Sequence, residues 1–334
     1  MSQHSEPDRL FLRRGEIVSK EYRIIDLVGE GTYSNVYSAI NIYSQRKCVI
    51  KACRNKPNYN EAAEKEIQTL DTLTQLDPDH HHFARYFGFV IYKEHYCLLF
   101  EKLGCSLYAA FQYQKFQPFH VDTVRDISWQ ILTSLDILHR HKMIHTDLKL
   151  ENVLLCGNFI DKYGYDINTK RKATDCRLID FGSIDSGSFW HHHLATTRYC
   201  RAPEITMGLR WSYECDIWSL GCLMLELGVG FLPFDSRNPI ECLFLIQTLI
   251  NPFPSWMWKQ CSNKDFTQNV HHGMIQKSTF EKSKLDDLLK RPTLQSVLSF
   301  NHDFRDIILE MMNPNPVKRP TTSQLLEHQF FSHH

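Results

Sequence analysis

One stretch limits what this chain can fold into more than any other: His145-Thr146-Asp147-Leu148-Lys149-Leu150-Glu151-Asn152. It sets an acid, a cation and an amide at fixed offsets, with Lys149 two residues and Asn152 five residues after Asp147. Such a set can orient a hydroxyl and take its proton, steady a moving phosphoryl group and offer an amide oxygen to a metal. The plainer reading is a helix cap followed by a surface turn. Ahead of it, Val124, Ile127, Ile131, Leu135 and Leu138 recur at helical spacing. That stripe predicts a helix over residues 121–141 with one core face, which delivers the chain to His145.

The 334 residues suffice for one large or two modest domains. Hydrophobic residues make up 43%, enough to bury a sizeable core and to exclude wholesale disorder. Lys+Arg and Asp+Glu are 38 each, and the resulting zero net charge argues against direct nucleic-acid or membrane-surface binding. No apolar run approaches the roughly 18–20 residues that span a bilayer; the most apolar stretch, residues 220–234, contains Glu226 and glycines. The eleven cysteines are scattered without a C-x-x-C pair, and residues 1–14 are polar and charged, unlike a signal peptide. The expectation is an intracellular protein with reduced, mostly buried cysteines, in the nucleus, the cytoplasm or both. His191-His192-His193 reads as a solvated loop, because adjacent side chains of a regular element cannot all face one metal.

Residues 1–20 read as a short polar extension. A strand over residues 22–28 runs into Gly29-Glu30-Gly31-Thr32-Tyr33-Ser34-Asn35-Val36. Glycines in such a turn let backbone N–H groups approach an anion, although a plain hairpin accounts for the same residues. Ser34 stands where a third glycine would. Lys51 ends the next predicted strand, 22 residues after Gly29. Residues 60–76 read as a helix whose apolar face, with Leu70 and Leu73, carries Glu66. A carboxylate there needs a cation, and Lys51 is the candidate; Glu64 falls on the polar side. Strands over 83–90 and 96–100 precede a break at 101–104, which reads as a hinge. Residues 156–177 form a polar insertion, read as a surface hairpin. Asp180-Phe181-Gly182 follows 33 residues after Asp147. Then come a segment over 183–201, Ala202-Pro203-Glu204, an apolar helix starting at Asp216, and Arg319. A second insertion spans 236–304, and residues 251–304 carry no clear pattern.

The glycine turn, Lys51, Glu66, the Asp147–Asn152 loop, Asp180, Ala202-Pro203-Glu204, Asp216 and Arg319, in that order, resemble the eukaryotic protein kinases over residues 18–332. Several stretches are similar to the LAMMER (Cdc-like) dual-specificity kinases of the CMGC group. These are the His145-Thr146-Asp147 loop, residues 97–104 (CLLFEKLG against the family's CIVFELLG) and residues 195–204 (against STRHYRAPE). The naming signature, EHLAMMERILGPLP, falls on residues 241–254. There Glu241, Leu243, Pro252 and Pro254 persist while LAMMER itself reads LFLIQT, an apolar pattern that suits buried helix packing. SR-protein kinases, which also carry HTD, and other CMGC kinases are the alternatives within the superfamily.

The resemblance implies an α+β, bilobal kinase fold. A β-rich N-lobe and hinge would span 21–103, and a mainly helical C-lobe 104–334. It implies ATP and Mg²⁺ as cofactors, and a structural ion pair between Glu204 and Arg319. Asp147, Lys149, Lys51 and Glu66 would serve catalysis, and Asn152 and Asp180 the metal. Val28, Gly29, Glu30, Gly31, Val36, Val49, Lys51, Phe100, Glu101, Leu103 and Leu154 would hold the nucleotide. The implied substrates are Ser/Thr residues of Arg/Ser-rich splicing factors, with autophosphorylation on Tyr, by a monomer. Thr146, where most kinases have Arg, implies activity without phosphorylation of Thr196 and Thr197, which sit where activation phosphates occur. The rival of another class is a pseudokinase scaffold. It would have lost Lys51, Asp147 or Asp180, and all three are present.

Overall fold

The computed structural model describes residues 8–156, 175–186 and 196–332. Most of the predicted insertion at 156–177, the His191-His192-His193 run and residues 187–195 of the predicted 183–201 segment lie outside the described residues. The chain divides into two compact units, Met1–Gly104 with Arg177–Ile184 and Cys105–Cys176 with Asp185–His334.

The first unit is built on a six-stranded antiparallel sheet. Its strands are β1 (Ile17–Val18), β2 (Tyr22–Glu30), β3 (Ser34–Asn41), β4 (Lys47–Cys53), β5 (Tyr86–Tyr92) and β6 (His95–Glu101), in the order β1-β2-β3-β4-β6-β5. Residues of period two fill one face: Ile24, Tyr37, Ala39, Cys48, Ile50, Ala52, Cys97 and Leu99 form a buried core. Leu10 and Val18 join that core, so residues 10–18 are part of this unit's fold. The alternate residues Val36, Val49, Lys51 and Phe100 belong to the opposite face, and register aligns Val36 with Lys51 and Val49 with Phe100. Lys51 lies inside β4 and does not end it, because Ala52 and Cys53 continue the ladder opposite Asn35 and Ser34.

Helix α1 (Pro57–Leu76) begins three residues earlier than the periodicity indicates, with Pro57 in its first turn. Proline suits that place, since its missing N–H has no partner there anyway. The helix buries Ala63, Glu66, Ile67, Leu70 and Leu73, one face at helical spacing. Residues 177–184 group with this unit. Leu178 bridges Phe83, and the Phe181 ring packs edge-on against the Phe83 ring at 5.5 Å.

The second unit is mainly helical. Helix α2 (Leu107–Tyr113) is capped by Ser106, whose hydroxyl accepts the Ala109 N–H at 3.1 Å. Helix α3 (Val121–Arg140) buries the predicted stripe of Val124, Ile127, Ile131, Leu135 and Leu138. After α4 (Pro203–Thr206), helix α5 (Glu214–Val229) is buried nearly all round, the mark of a central helix. Its glycines have a steric cause: a Cβ at Gly228 would meet the Phe304 ring at 2.7 Å. Helix α6 (Pro239–Leu249) carries the altered LAMMER signature. It buries Leu243, Phe244, Leu245, Ile246 and Leu249, and the Gln247 amide pairs with the Ile275 backbone through two 3.0 Å bonds.

Two carboxylates of this unit contrast. Arg319 meets both Glu204 oxygens at 2.6 and 2.8 Å, with both side chains fully buried, as the family resemblance implies. Removing one partner of such a pair strands a buried charge. Glu226 on α5 is different: burial, then the charges of Glu151 and Asp235, push its carboxyl up to about 7. Between its ordinary value of 4.5 and about 7, the folded chain holds a proton that the unfolded chain has lost. Stability linked to Glu226 therefore rises as pH falls through 7 towards 4.5, and the penalty is full above 7. Glu226→Gln is expected to raise unfolding free energy by about 1–2 kcal/mol at pH 8 and by little near pH 4.5, read from urea denaturation at the two pH values.

Candidate active site

The first unit brings Lys51, Glu66 and Asp180 together. The Lys51 ammonium lies 2.7 and 2.9 Å from the two Glu66 oxygens and 2.8 Å from Asp180 Oδ1. Glu66 is on the buried face of α1 because this cation neutralises it. Burial would pull the Lys51 pKa down; the Glu66 and Asp180 charges outweigh it and hold the ammonium well above the ordinary lysine range. Asp180 keeps 42% of its side chain exposed, and its backbone is left-handed at φ +64°.

The glycine turn belongs to the same unit and closes as a hairpin. The Gly31 N–H donates to the Ser34 carbonyl at 2.8 Å, with Thr32 and Tyr33 at the tip. Gly29 lies opposite Val36 in the ladder. Neither Gly29 nor Gly31 has a positive φ. A Cβ would meet Val36 at 3.7 Å or the Ser34 carbonyl at 3.5 Å, ordinary contacts in both cases. The protein itself therefore does not need glycine at these places. Their bareness leaves room for a group from outside to approach the backbone. Ser34, which also needs no positive φ, is buried and fills its place in β3 without strain. Val28 is exposed, Glu30 is exposed, and Val36, Val49 and Phe100 are half-buried on their shared face. Glu101 accepts the Arg85 N–H at 2.7 Å, and Leu103 is buried.

The second unit carries the acid, the cation and the amide. Asp147 Oδ2 lies 2.5 Å from Lys149 Nζ. The Asn152 amide nitrogen donates to the Asp147 carbonyl at 2.9 Å and to Oδ2 at 3.3 Å. That fixes the amide with its nitrogen towards Asp147 and its oxygen, the end a cation takes, on the other side. Leu154 lies in the short strand Val153–Leu155, half-buried. Leu150, where the family has Pro, is buried in the helical turn Leu150–Asn152.

This loop is held by Asp216 at the start of α5. Its fully buried carboxylate accepts the His145 N–H at 2.8 Å and the Thr146 N–H at 2.9 Å, and bonds His139 Nε2 at 3.0 Å. Burial pushes the Asp216 pKa up; the His139 and His145 contacts outweigh it and hold the carboxyl below its ordinary value. Thr146 is forced to φ +65°, a conformation that β-branched residues avoid.

Thr197 is a residue of this site that sequence reasoning missed. Its hydroxyl donates to Asp147 Oδ1 at 2.5 Å and accepts from Lys149 Nζ at 3.1 Å. The Thr196 hydroxyl is buried, and its carbonyl accepts from Arg201 at 2.7 Å. The Thr197 hydroxyl is thus engaged and the Thr196 hydroxyl enclosed. Spacing alone could not show that Thr197 turns inward to Asp147. Nearby, the Tyr199 hydroxyl holds both Glu151 oxygens at 2.8 Å.

No group of three or more His, Cys, Asp and Glu side chains able to hold a metal occurs among the described residues. A cation here would draw on a few hard oxygens, which suits Mg²⁺ completing its shell with phosphates and water. Among the described residues, no helix is long and apolar enough to cross a membrane.

Comparison with known proteins converges with this geometry. The protein kinase domain model matches residues 22–331. Dual specificity protein kinase CLK4 of Mus musculus is 30% identical over 98% of this chain and 69% of its own length. Serine/threonine-protein kinase AFC2 of Arabidopsis thaliana is 31% identical over 95% of this chain and 78% of its own. A crystal structure of a kinase domain superposes with a TM-score of 0.86 at 26% identity, covering 97% of this chain and 99% of that one. The matched domain, the LAMMER-type relatives and the paired acid, lysine and amide agree: the chain belongs to the protein kinase family, within its LAMMER-type (Cdc-like) branch.

Proposed function

We propose that this kinase transfers the γ-phosphate of Mg-ATP to protein hydroxyls through Asp147. The observation that carries the reading is the Asp147 carboxylate, gripped on one oxygen by Thr197 and on the other by Lys149. A carboxylate so fixed can align an acceptor hydroxyl and take its proton. Lys149 then places a positive charge beside the position at which the phosphoryl group moves. Lys51, oriented by Glu66, would hold the α- and β-phosphates, with Gly29 and Gly31 leaving backbone room for them. Val28, Val36, Val49, Phe100, Leu103 and Leu154 would bound the base, with Glu30 and Glu101 at its margins. Asp180 of the first unit and Asn152 of the second would each give an oxygen to Mg²⁺, which when bound would neutralise charge on the phosphates.

The substrates we propose are Ser/Thr residues in Arg/Ser-rich proteins. What supports this is a set of carboxylates near residues 198–201: Glu151, held by Tyr199, Asp235, paired with Arg198 at 2.6 Å, and Glu226, whose carboxyl is raised first by burial and then by the charges of Glu151 and Asp235. Such a set suits a guanidinium. We propose a monomer acting inside the cell. The decisive assay is radiolabel transfer from Mg-ATP to an Arg-Ser peptide and to a Pro-directed peptide. Transfer favouring the Arg-Ser peptide, lowered at least about a thousandfold by Asp147→Asn, is the expected result. No transfer by the intact protein would identify a scaffold instead.

Regulation follows from Thr146 and Thr197. Thr146 supplies no cation for an activation phosphate, and the Thr197 hydroxyl already serves Asp147. Phosphatase-treated protein is therefore expected to retain full activity. Thr197→Ala should lower kcat about tenfold with little change in KM for ATP, and Thr197→Ser should restore it. A large loss on phosphatase treatment would contradict phosphate-independent activity.

A further inference from the structure

The N-terminal stretch is tied to the glycine turn through one arginine. Asp8, 5% exposed, receives Arg54 Nε at 2.5 Å and Lys56 Nζ at 3.4 Å, and its carbonyl accepts the Asn55 N–H at 2.9 Å. Arg54 in turn reaches the tip of the turn. Its backbone N–H donates to the Tyr33 carbonyl at 3.0 Å and its guanidinium to the Thr32 carbonyl at 3.3 Å. The same guanidinium lies 5.2 Å over the ring of Tyr59 in the first turn of α1, and Tyr59 meets the Tyr33 ring edge-on at 5.8 Å. The next two residues grip the other side of the turn. Arg9 bonds Asn35 Oδ1 at 3.1 Å, and the Leu10 carbonyl accepts from Asn35 at 3.1 Å and from the Tyr37 hydroxyl at 2.9 Å. Residues 8–10 thus hold both what leads out of the turn and what the tip rests on.

We propose that Asp8 is a positioning residue for nucleotide binding: by fixing Arg54 it sets the height of the Thr32-Tyr33 tip, and with it the backbone of Gly29–Gly31. An arginine on a long flexible stem loses rotamer freedom when its guanidinium holds the Thr32 carbonyl. Asp8 removes that cost in advance, because a charge-assisted bond at 2.5 Å already immobilises the guanidinium. Without Asp8, Arg54 keeps its own backbone bond to Tyr33 but its side chain can swing away from Thr32, and the tip loosens. Asp8 touches no substrate. It acts through Arg54, so its effect belongs to ATP binding and not to the transfer step at Asp147. The proposal rests on the reading that this turn covers the ATP phosphates.

The test compares Asp8→Ala, the milder Asp8→Asn, Arg54→Ala and the Asp8→Ala/Arg54→Ala double variant. Glu16→Ala is the control. Glu16 anchors the same N-terminal segment to Tyr92 at 3.1 Å and Lys93 at 2.8 Å, on β5 and its turn, with no bond to the glycine turn. Asp8→Ala should raise KM for ATP roughly five- to tenfold with kcat and the peptide KM nearly unchanged, and Asp8→Asn should do so to a lesser degree. The double variant should be no worse than Arg54→Ala alone, because the effect passes through Arg54. Glu16→Ala should lower the melting temperature without moving KM for ATP. Hydrogen exchange at the Gly31 amide, measured without nucleotide, should quicken in the Asp8 and Arg54 variants and stay at the wild-type rate in Glu16→Ala. Failure of the wild type to use ATP would sink the function and leave this exchange test standing. Unchanged Gly31 exchange, additive Asp8 and Arg54 effects, or an equal rise in KM from Glu16→Ala would each overturn the proposal.

Discussion

The buried carboxylate of Asp216 is the constraint on which the loop carrying Asp147 depends. It sits at the N-terminal turn of α5, the most enclosed helix of its unit, and it accepts two successive N–H groups from His145 and Thr146. Two charge-assisted bonds over-determine a backbone that Thr146 would not adopt by itself, at φ +65°. Strain of this kind costs about 1–3 kcal/mol, and it persists where surrounding bonds offset it. The residue that follows is Asp147. The direction in which its side chain leaves the chain is set by that forced Thr146 conformation, and the rest of the site refines it through Lys149, Asn152 and Thr197.

In the other unit, strand periodicity does the corresponding work. Lys51 lies on a strand whose neighbours Ile50 and Ala52 are sealed in the core, so alternation turns the lysine to the opposite face. Register places Val36 beside it and Val49 beside Phe100. A one-residue slip would bury the lysine in the apolar core and expose Ile50, so the core itself fixes where the cation stands. Glu66 then completes the arrangement from α1, at a place on that helix where only a paired carboxylate is tolerated.

Much of this was legible in the chain. The α3 stripe and the Glu66 anomaly on an apolar helix face follow from periodicity and from the cost of buried charge, which can be read without coordinates, and the Glu204–Arg319 pair followed from the family resemblance. The altered LAMMER signature also reads correctly as packing, since Leu243 to Ile246 are buried in α6. What could not be read depends on tertiary direction. Nothing local shows that Thr197 turns inward to Asp147 while Thr196 is buried beside it. Nor does composition reveal that residues 8–10 are woven into the sheet, because a polar stretch with two core contacts looks like an extension. Ser34 counted against the glycine turn in the sequence, and the structure removes the objection: its place in β3 requires no left-handed backbone.

The central claim is that Asp216 supports phosphoryl transfer by holding the loop that aims Asp147. The most direct measurement is the kinetics of Asp216→Asn, whose amide keeps the volume but loses the charge and one acceptor oxygen. With the fold retained by circular dichroism, kcat is predicted to fall about a hundredfold while KM for ATP stays within roughly twofold of the wild type. An unchanged kcat in a folded Asp216→Asn protein would contradict the account.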